Sequence, residues 1–489
     1  MIAAGIDAGT QSIKVLVYDS DKHEIIALTS SPLPLIEEEG GIREQKASWW
    51  IEALRKCFSC IPREIRERIE TIAVSGQQHG FVPFSKRKGV LHNVKLWCDT
   101  STATECMELE EKAGGREALA KKLGNPILPG YTASKILWLY KRHRGIYDEM
   151  DCVLLPHDYL NWYLTGEITM ERGDASGTGL MNVFSSDWDE ETLSLIAPDL
   201  IYKMPKISQE PTIIGNIRKS TAEELGLATS CLVSSGGGDN MMSAIGTGSV
   251  SDGILTMSLG TSGTLFASSS KAFYDEGHRL ASFCSSTGTY LPLLCTMNCT
   301  VATETIRKLF KVEVKDIDAI ASDAKPGSDG MMMLPFFNGE RVPDYPHGEG
   351  VLFGMRQSNV KKENIMRAAM EGVSYEFLLG IDAFKENGID VKELILTGGG
   401  SKSRLWRKIV SDMTLCPVNV PRIAESAAFG SALHALWCKE GGCIEDVVRE
   451  HVEYDSGKAV SPDLKNRRTY EQGYAKWLEY SKALADLFH

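Results

Sequence analysis

Short runs of aliphatic and β-branched residues open the chain around a polar turn. Residues 2–6 and 13–18 have the composition of strands, and residues 7–12 between them are polar and contain Gly9. The same pattern returns about half a chain later, where strand-like residues 254–259 and 264–267 flank a turn at 260–263. A repeat of this kind predicts two domains of related fold, each beginning with a β-hairpin.

A run rich in Gly and Ser, residues 246–253, lies directly before the second hairpin. Such a run is typical of a connection between domains. We therefore expect an N-terminal domain over residues 1–248 and a C-terminal domain over residues 249–489.

Strand-like and helix-like segments alternate through both halves. Three short apolar runs precede loops that contain glycine, and helical patterns follow these loops, least clearly after the first. The loops are residues 75–80, 236–240 and 398–400, and the third leads into a helical run at 403–413. This alternation predicts α/β layers, in which ligands bind at the carboxyl ends of strands.

Composition narrows the class of protein. The 489 residues carry 53 basic and 65 acidic side chains, a formal net charge of −12, which argues against a nucleic-acid partner. We expect no membrane span, because no apolar run approaches 18 residues, and no signal peptide, because the N-terminus lacks a basic region. Twelve scattered cysteines suit reduced thiols, so we expect a cytoplasmic protein.

The two hairpin turns are the strongest chemical signal. The chain has no G-x-x-x-x-G-K-[ST] or G-x-G-x-x-G motif, so neither a P-loop nor a dinucleotide fold is supported. A Gly-Thr turn between strands aims backbone N–H groups and a hydroxyl at one anion, although a single turn is equally a structural hairpin. Two matching turns could hold one polyphosphate between two domains.

Two charged residues border the first turn. Asp7 precedes it and is a candidate Mg²⁺ ligand beside a polyphosphate, or else an aspartate that caps the turn. Lys14 follows it and could reach phosphate or point to solvent.

The glycine-bearing loops supply the other candidates. Asp239 follows three glycines at the start of a helical pattern, as a functional carboxylate or as an N-cap. His79 follows Gln77 and Gln78, a polar trio suited to hydroxyl groups, although a lone histidine is often structural. The glycines of residues 398–400 allow a ligand to approach closely, or form a tight connection.

Taken in order, these segments resemble the FGGY carbohydrate kinases, a family of the actin, hexokinase and Hsp70-like ATPase superfamily. The resemblance covers nearly the whole chain, through two phosphate motifs, an adenosine motif and two signature segments: residues 5–14, 259–263, 396–403, 130–138 and 350–372. It implies an α/β fold of two related ribonuclease H-like domains, mixed sheets flanked by helices, with a cleft between them. Residues 76–80, 97–99, 155–160 and 236–240 are most similar to family members that phosphorylate D-xylulose.

The resemblance also implies a set of site residues, with ATP and Mg²⁺ as cofactors. Asp239 is the implied catalytic base, and Asp7 belongs to the implied Mg²⁺ site. The implied sugar contacts are Gln78, His79, Asp239 and Asn240. The implied nucleotide contacts are Thr10, Gln11, Ser12, Lys14, Gly260 and Thr261 at the phosphates, and Gly399, Gly400 and Ser403 at the nucleoside.

Phosphorylation of the terminal 5-hydroxyl of D-xylulose is the activity that the resemblance implies. Two alternatives stay open: another ketose or polyol kinase on the same scaffold, and a non-catalytic sugar sensor that depends on ATP. The expected partners are a small-molecule ketose and ATP, without nucleic acid or membrane, and a homodimer is left open.

Overall fold

The computed structural model describes residues 1–488. Strands of the first half, in chain order, are β1 (Ile2–Ala8), β2 (Ser12–Asp19), β3 (Glu24–Pro32), β4 (Ile36–Glu38), β5 (Ile42–Gln45), β6 (Thr71–Gly76), β7 (Val82–Ser85), β8 (Gly89–Val90), β9 (Val94–Lys95), β10 (Cys152–Leu154), β11 (Thr169–Glu171), β12 (Met181–Asn182), β13 (Asp187–Trp188), β14 (Lys206–Ser208), β15 (Ile213–Asn216), β16 (Leu232–Ser234) and β17 (Gly237–Gly238). Those of the second half are β18 (Ile254–Leu259), β19 (Gly263–Ala267), β20 (Ala281–Cys284), β21 (Tyr290–Thr296), β22 (Met332–Pro335), β23 (Gly350–Phe353), β24 (Glu393–Thr397) and β25 (Val418–Asn419).

Helices surround these strands. Those of the first half are α1 (Ala47–Ser59), α2 (Arg63–Arg66), α3 (Ala103–Lys112), α4 (Arg116–Leu123), α5 (Thr132–Arg142), α6 (Arg144–Glu149), α7 (Pro156–Thr165), α8 (Arg172–Ser176), α9 (Glu190–Ile196), α10 (Lys219–Leu225) and α11 (Asp239–Thr247). Those of the second half are α12 (Thr300–Leu309), α13 (Ile317–Ser322), α14 (Lys362–Glu386), α15 (Arg404–Thr414), α16 (Ser426–Glu440), α17 (Ile444–His451), α18 (Arg467–Ala483) and α19 (Ala485–Phe488). Within residues 1–488, no helix has the length and apolar character needed to cross a membrane.

Both predicted hairpins are present, and each lies in a sheet of its own. The first sheet has the order β15-β16-β6-β1-β2-β3, with β17 also paired to β6, and the second has the order β20-β21-β19-β18-β24-β25. In each sheet the first strand of the hairpin pairs antiparallel with its hairpin partner and parallel with a later strand, β1 with β6 and β18 with β24. The repeat in the sequence is therefore a repeat of sheet topology.

Alternation along β1 decides which side chains reach the space between the sheets. Ile2, Ala4 and Ile6 pack into the core beneath α1, whereas Ala3 belongs to a second core that includes α11 and α16. Asp7 lies four residues after Ala3 on the same strand, so its side chain points to the same face, toward α11 and α16.

Helices α11 and α16 come from different halves of the chain and pack against each other at small residues. A Cβ atom on Gly430 would lie 1.8 Å from the Met242 carbonyl oxygen, and one on Gly246 would lie 2.0 Å from the Ser426 carbonyl oxygen. Only glycine allows the two backbones to come this close. This close packing ties the two sheets together behind the cleft.

The structure corrects one sequence-based expectation and leaves another as a prediction. The helix considered after residues 75–80 is wrong, because the chain continues into β7 instead, where all four residues are buried. The predicted domain bounds, 1–248 and 249–489, stay predictions. The sheets do separate near that boundary, but α16 of the second half packs on β1 and β6 of the first.

Candidate active site

Three neighbouring strand ends of the first sheet bring the predicted catalytic residues together. Asp7 of β1 pairs with Ser75 of β6, and Ser75 pairs in turn with Gly237 of β17. The three residues therefore lie side by side across the sheet. These strands run parallel, so their carboxyl ends meet at one edge of the sheet. Asp239 lies just past β17 as the first residue of α11.

The Asp7 carboxylate is partly exposed in the cleft but largely surrounded by protein. It accepts a hydrogen bond from the Ser75 hydroxyl at 3.3 Å. Desolvation raises the pKa of Asp7 to about 6, although the nearby Lys14 ammonium acts in the opposite direction. The expectation that Asp7 caps its own turn finds no support, since the bond that its side chain accepts comes from the neighbouring strand.

Asp239 carries the strongest sign of a functional carboxylate. Desolvation, and then the negative charges of Asp7 and Asp174, raise the pKa of Asp239 to about 7. The N-cap of α11 is Gly238 and not Asp239, although one Asp239 oxygen does accept the backbone N–H of Asn240 at 2.8 Å. The other oxygen is left for a ligand.

The expected contact of Lys14 with phosphate stays a prediction, and in the structure its ammonium group has a carboxylate partner. Its side chain is half-buried and forms an ion pair with Glu425, the residue that precedes α16. Lys14 also lies directly opposite Asp7 on β2, so its ammonium group stands between two carboxylates. A phosphate that approached Lys14 would compete with Glu425.

Two amides link the strand-end loop to α11. Asn240 donates from Nδ2 to Oε1 of Gln78 at 3.1 Å and to the Asp239 carboxylate at 3.1 Å. Gln77 lies behind them, and its Oε1 accepts the Thr10 hydroxyl at 3.2 Å. Glutamine at 78 therefore holds the side chain of Asn240 in place.

The His79 ring is held neutral and in one tautomer. Its Nδ1 lies 2.5 Å from the Gly177 carbonyl oxygen, and since a carbonyl only accepts, Nδ1 carries the proton. Desolvation lowers the pKa of His79 to about 3, so Nε2 is an acceptor. The ring stacks on Tyr131 with centroids 4.4 Å apart. An acceptor of this kind suits a sugar hydroxyl.

Lys135 holds the backbone of His79, a role that residue patterns alone do not reveal. The buried Lys135 ammonium donates to the His79 carbonyl oxygen at 2.7 Å and to the Gly130 carbonyl oxygen at 2.6 Å. His79 has a φ of 64°, an unusual conformation that these bonds maintain. Lys135 lies in the signature segment at 130–138, and that segment is the sequence feature that could have pointed to it.

A buried ionic cluster lies close to Asp239, and the sequence did not predict it. His157 contacts Asp174 through Nδ1 at 2.6 Å and Asp158 through Nε2 at 3.1 Å. Burial opposes a charge on His157, but these carboxylates raise its pKa to about 9. The segment at 155–160 pointed to His157, whereas Asp174 had no motif around it.

A second set of predicted residues lies at the corresponding edge of the second sheet. In β18 and β24, Ser258 pairs with Thr397, so the turn after β18 and the glycine loop after β24 are neighbours. The backbone oxygens of Gly260 and Thr261 accept the N–H groups of Thr300 and Cys299 at the start of α12, which fixes the turn. The Thr261 side chain is exposed.

The glycine loop and Ser403 divide between ligand access and structure. Gly399 is exposed with open space where a Cβ would be, whereas a Cβ on Gly400 would lie 2.7 Å from Leu259. The Ser403 hydroxyl accepts the Trp406 N–H as the N-cap of α15 and donates to Asp318. Gly399 is therefore the open position of this loop.

The first turn is anchored in the same way. The Thr10 hydroxyl accepts the indole N–H of Trp97 at 2.9 Å, and its carbonyl oxygen accepts the Gln45 amide at 2.8 Å. Gln11 is exposed and Ser12 is partly exposed, so this turn faces the cleft with its backbone and short side chains.

The residues around Asp7 fit a divalent cation. Two carboxylates, Asp7 and Asp239, face the same space. Desolvation raises the pKa of both, and the negative charge of Asp7 raises the pKa of Asp239 further. A hard cation with oxygen ligands would relieve both effects.

Two sheets of one topology, with polar turns at corresponding edges and carboxylates of raised pKa at one of them, define a two-domain phosphotransferase of the actin, hexokinase and Hsp70-like ATPase fold. The chain belongs to the FGGY family of carbohydrate kinases. The model of the N-terminal domain of that family matches residues 2–246, and the model of its C-terminal domain matches residues 255–438. The protein is therefore an ATP-dependent sugar kinase, as the resemblance implied.

Individual members of the family are similar to this chain over most or all of its length. The chain is 38% identical to a xylulose kinase from Haemophilus influenzae over 98% of this chain and 99% of that one. It is 31% identical to a xylulose kinase from Escherichia coli over 84% of each chain. The crystal structure of a xyloylose kinase from Brucella ovis superposes with a TM-score of 0.92 at 27% identity and full coverage of both chains.

Proposed function

We propose that this kinase transfers the γ-phosphoryl group of ATP to the terminal 5-hydroxyl of D-xylulose. The observation that carries the proposal is the Asp239 carboxylate, set in the cleft with a raised pKa beside a polar acceptor site made by Gln78, His79 and Asn240. The xylulose kinases among its relatives supply the choice of sugar.

Asp239 is the proposed catalytic base. A pKa of about 7 keeps its carboxylate near half-ionised at neutral pH and makes it a better proton acceptor than an ordinary aspartate. Its free oxygen takes the proton of the attacking hydroxyl as the new P–O bond forms and the bond between the γ-phosphorus and the bridging oxygen of ADP breaks, so that ADP leaves. Gln78, Asn240 and the Nε2 of His79 are proposed to bind the remaining sugar oxygens, since together they offer both donors and an acceptor.

The two turns are proposed to bind the nucleotide from opposite sides of the cleft. Around the phosphates we place Thr10, Gln11, Ser12, Lys14, Gly260 and Thr261. Around the nucleoside we place Gly399, Gly400 and Ser403, of which Gly399 has room for direct contact and the other two shape the loop. Because Thr10 and Gly260 use their backbone and hydroxyl bonds to fix the turns, their N–H groups are the proposed donors.

Asp7 is the proposed ligand of Mg²⁺, directly or through water. When bound, the cation would neutralise phosphate charge during transfer. The Lys14–Glu425 pair lies across the hairpin from Asp7, whose carboxylate is held by the Ser75 hydroxyl.

A cytoplasmic location is proposed with the activity. All twelve cysteines are free thiols, as is usual in a reducing compartment.

The deciding experiment measures ADP release with Mg·ATP across a panel of ketoses and polyols. We expect D-xylulose to give the highest kcat/KM, because a site that pairs hydroxyls can reject an analogue lacking one by roughly 10⁴-fold. D-Ribulose or glycerol exceeding D-xylulose tenfold or more would replace the sugar while leaving the kinase assignment intact. ATP binding without phosphoryl transfer to any sugar would favour the sensor alternative.

A further inference from the structure

A positively charged residue of the second half of the chain, Arg341, faces the first half and has no role in the site described so far. Arg341 lies in the loop after β22 and lines a cavity of about 300 Å³ together with Arg116 and Glu117 of the first half. Its Nη1 donates a hydrogen bond to the Cys295 sulfur at 3.6 Å. Arg341 thus stands where the two halves face each other.

Arg341 differs from the other arginines around this cavity. Arg116 pairs with Asp344 at 3.1 Å, and Arg279 pairs with Asp275 at 3.0 Å. Among residues 1–488, Arg341 pairs with no carboxylate, although its side chain is partly buried. A guanidinium group with five donors and only one weak acceptor has most of its hydrogen-bonding capacity unused.

Arg341 lies near residues of the proposed sugar site. Its charge acts on His79 and on Tyr131, the two rings that stack on each other, and on Cys295. Cys295, which Arg341 contacts, packs against the core cluster that contains Tyr131 and Phe283, and both of these rings lie beside His79.

We propose that Arg341 is a specificity-determining residue whose guanidinium donates hydrogen bonds to ketose oxygens other than the reacting hydroxyl. The inference rests on the proposed function, because it adds a contact from the second half to the same sugar site. A neutral polyhydroxyl ligand suits an unpaired guanidinium beside the neutral His79, since it supplies several acceptors without a charge. Arg341 would then read the sugar from the side opposite Gln78.

Glu340 is the positioning residue for Arg341. Its buried carboxylate accepts the backbone N–H of Arg341 at 2.8 Å and that of Met297 at 2.6 Å. The same carboxylate accepts the side-chain amide of Asn298 at 2.9 Å. These bonds join the Arg341 loop to the end of β21, so the backbone that carries the guanidinium is fixed before any ligand binds.

The test compares Arg341→Gln with Arg116→Gln, an arginine on the same cavity that already has its carboxylate partner. Steady-state kinetics are measured with the ketose that the wild-type enzyme uses best. Arg341→Gln should raise the KM for that ketose by about 10- to 100-fold, with the KM for ATP changed less than about threefold. Arg116→Gln should leave both values within about threefold of wild type.

Deoxy analogues of the ketose show which oxygen is bound. The wild-type enzyme should discriminate against the analogue that lacks this oxygen, and Arg341→Gln should lose that discrimination. Glu340→Gln should raise the KM for the ketose as well, and adding it to Arg341→Gln should cause no further rise if Glu340 acts through Arg341.

Several outcomes would overturn the inference. An unchanged KM for the ketose in a folded Arg341→Gln, as judged by its melting temperature, would make Arg341 structural. A rise confined to the KM for ATP would place it at the nucleotide, and a poorly folded Arg341→Gln would be replaced by Arg341→Lys, for which we expect an intermediate KM. A different preferred sugar would overturn only the proposed substrate, because the comparison is made on whichever ketose is used.

Discussion

The negative charge of Asp7 acts on the carboxylate of Asp239 and, after desolvation, is the next cause that raises the pKa of Asp239 to about 7. The two residues are far apart in sequence and meet because β1 and β17 both flank β6. One carboxylate is thereby suited to a cation and the other to a proton.

The first prediction concerns the pH dependence of kcat/KM, which reports the free enzyme. Asp239 must be ionised to accept a proton, so kcat/KM should fall about tenfold per pH unit as the pH drops below about 7. Asp7→Asn removes the neighbouring negative charge and should move this limb to lower pH. A limb that lies near pH 4 in the wild-type enzyme would contradict the assignment.

Asp7→Asn should also weaken the response to Mg²⁺ without harming the fold. We expect the Mg²⁺ concentration for half-maximal rate to rise about 10- to 100-fold. Desolvation raises the pKa of Asp7 above its unfolded value, so folding binds a proton and stability falls as the pH rises through about 4 to 6. At pH 8 the melting temperature should therefore rise in the variant.

Asp21→Asn is the matched control for Asp7→Asn. Asp21 is an exposed carboxylate at the far end of the same hairpin, where it pairs with the N-terminal amine. Its removal should leave the Mg²⁺ titration unchanged. A wild-type Mg²⁺ response in Asp7→Asn would exclude Asp7 from the cation site.

The sequence predicts those site residues that lie in short motifs, and it does not predict those that distant segments bring together. The hairpin turns, Asp7 and Asp239 lie in short motifs, and local patterns therefore pointed to them. Asp174 and the proposed sugar contact Arg341 have no such context, because only the packing of distant segments sets their surroundings. Glu425 likewise could not be predicted as the partner of Lys14, since 411 residues separate the two.

His79 gives a prediction about backbone conformation as well as sugar binding. Because its φ is 64°, Asn should be accepted at this position more readily than Ala. Both His79→Asn and His79→Ala should raise the KM for the ketose about tenfold or more, but only His79→Ala should also lower the melting temperature by several degrees.

The pH profile separates His79 from Asp239. The pKa of His79 is lowered to about 3, so the acidic limb of kcat/KM should persist in His79→Asn. Loss of that limb would assign it to the histidine and not to Asp239.

Gly430→Ala tests the packing that joins the two halves. An added Cβ would lie 1.8 Å from the Met242 carbonyl oxygen of α11, so the two helices would have to separate. We expect a loss of roughly 3 kcal/mol or more in the free energy of unfolding. Gly145→Ala is the control, since Gly145 lies in α6 with open space around it and should become slightly more stable. Equal stability in both variants would contradict the close packing.

Asp239→Asn is the sharpest test of the mechanism. The change keeps the size of the side chain and its bond to the Asn240 N–H, but it removes the group that accepts the sugar proton. Removal of a general base typically lowers kcat by about 10²- to 10⁴-fold. ATP binding should survive, because its proposed contacts lie at the two turns and the glycine loop.

The melting temperature of Asp239→Asn distinguishes catalysis from structure. The raised pKa of Asp239 means that its ionised form destabilises the fold at neutral and higher pH, so the amide should melt at or above the wild-type temperature at pH 8. A carboxylate that served only the helix start would leave kcat nearly unchanged, since Asn satisfies that position about as well as Asp. The combination of a stable protein and a kcat at least 100-fold lower is therefore expected only of a base. A stable variant with kcat within about threefold of wild type would remove Asp239 from the mechanism, because that change is far smaller than the loss of a base produces.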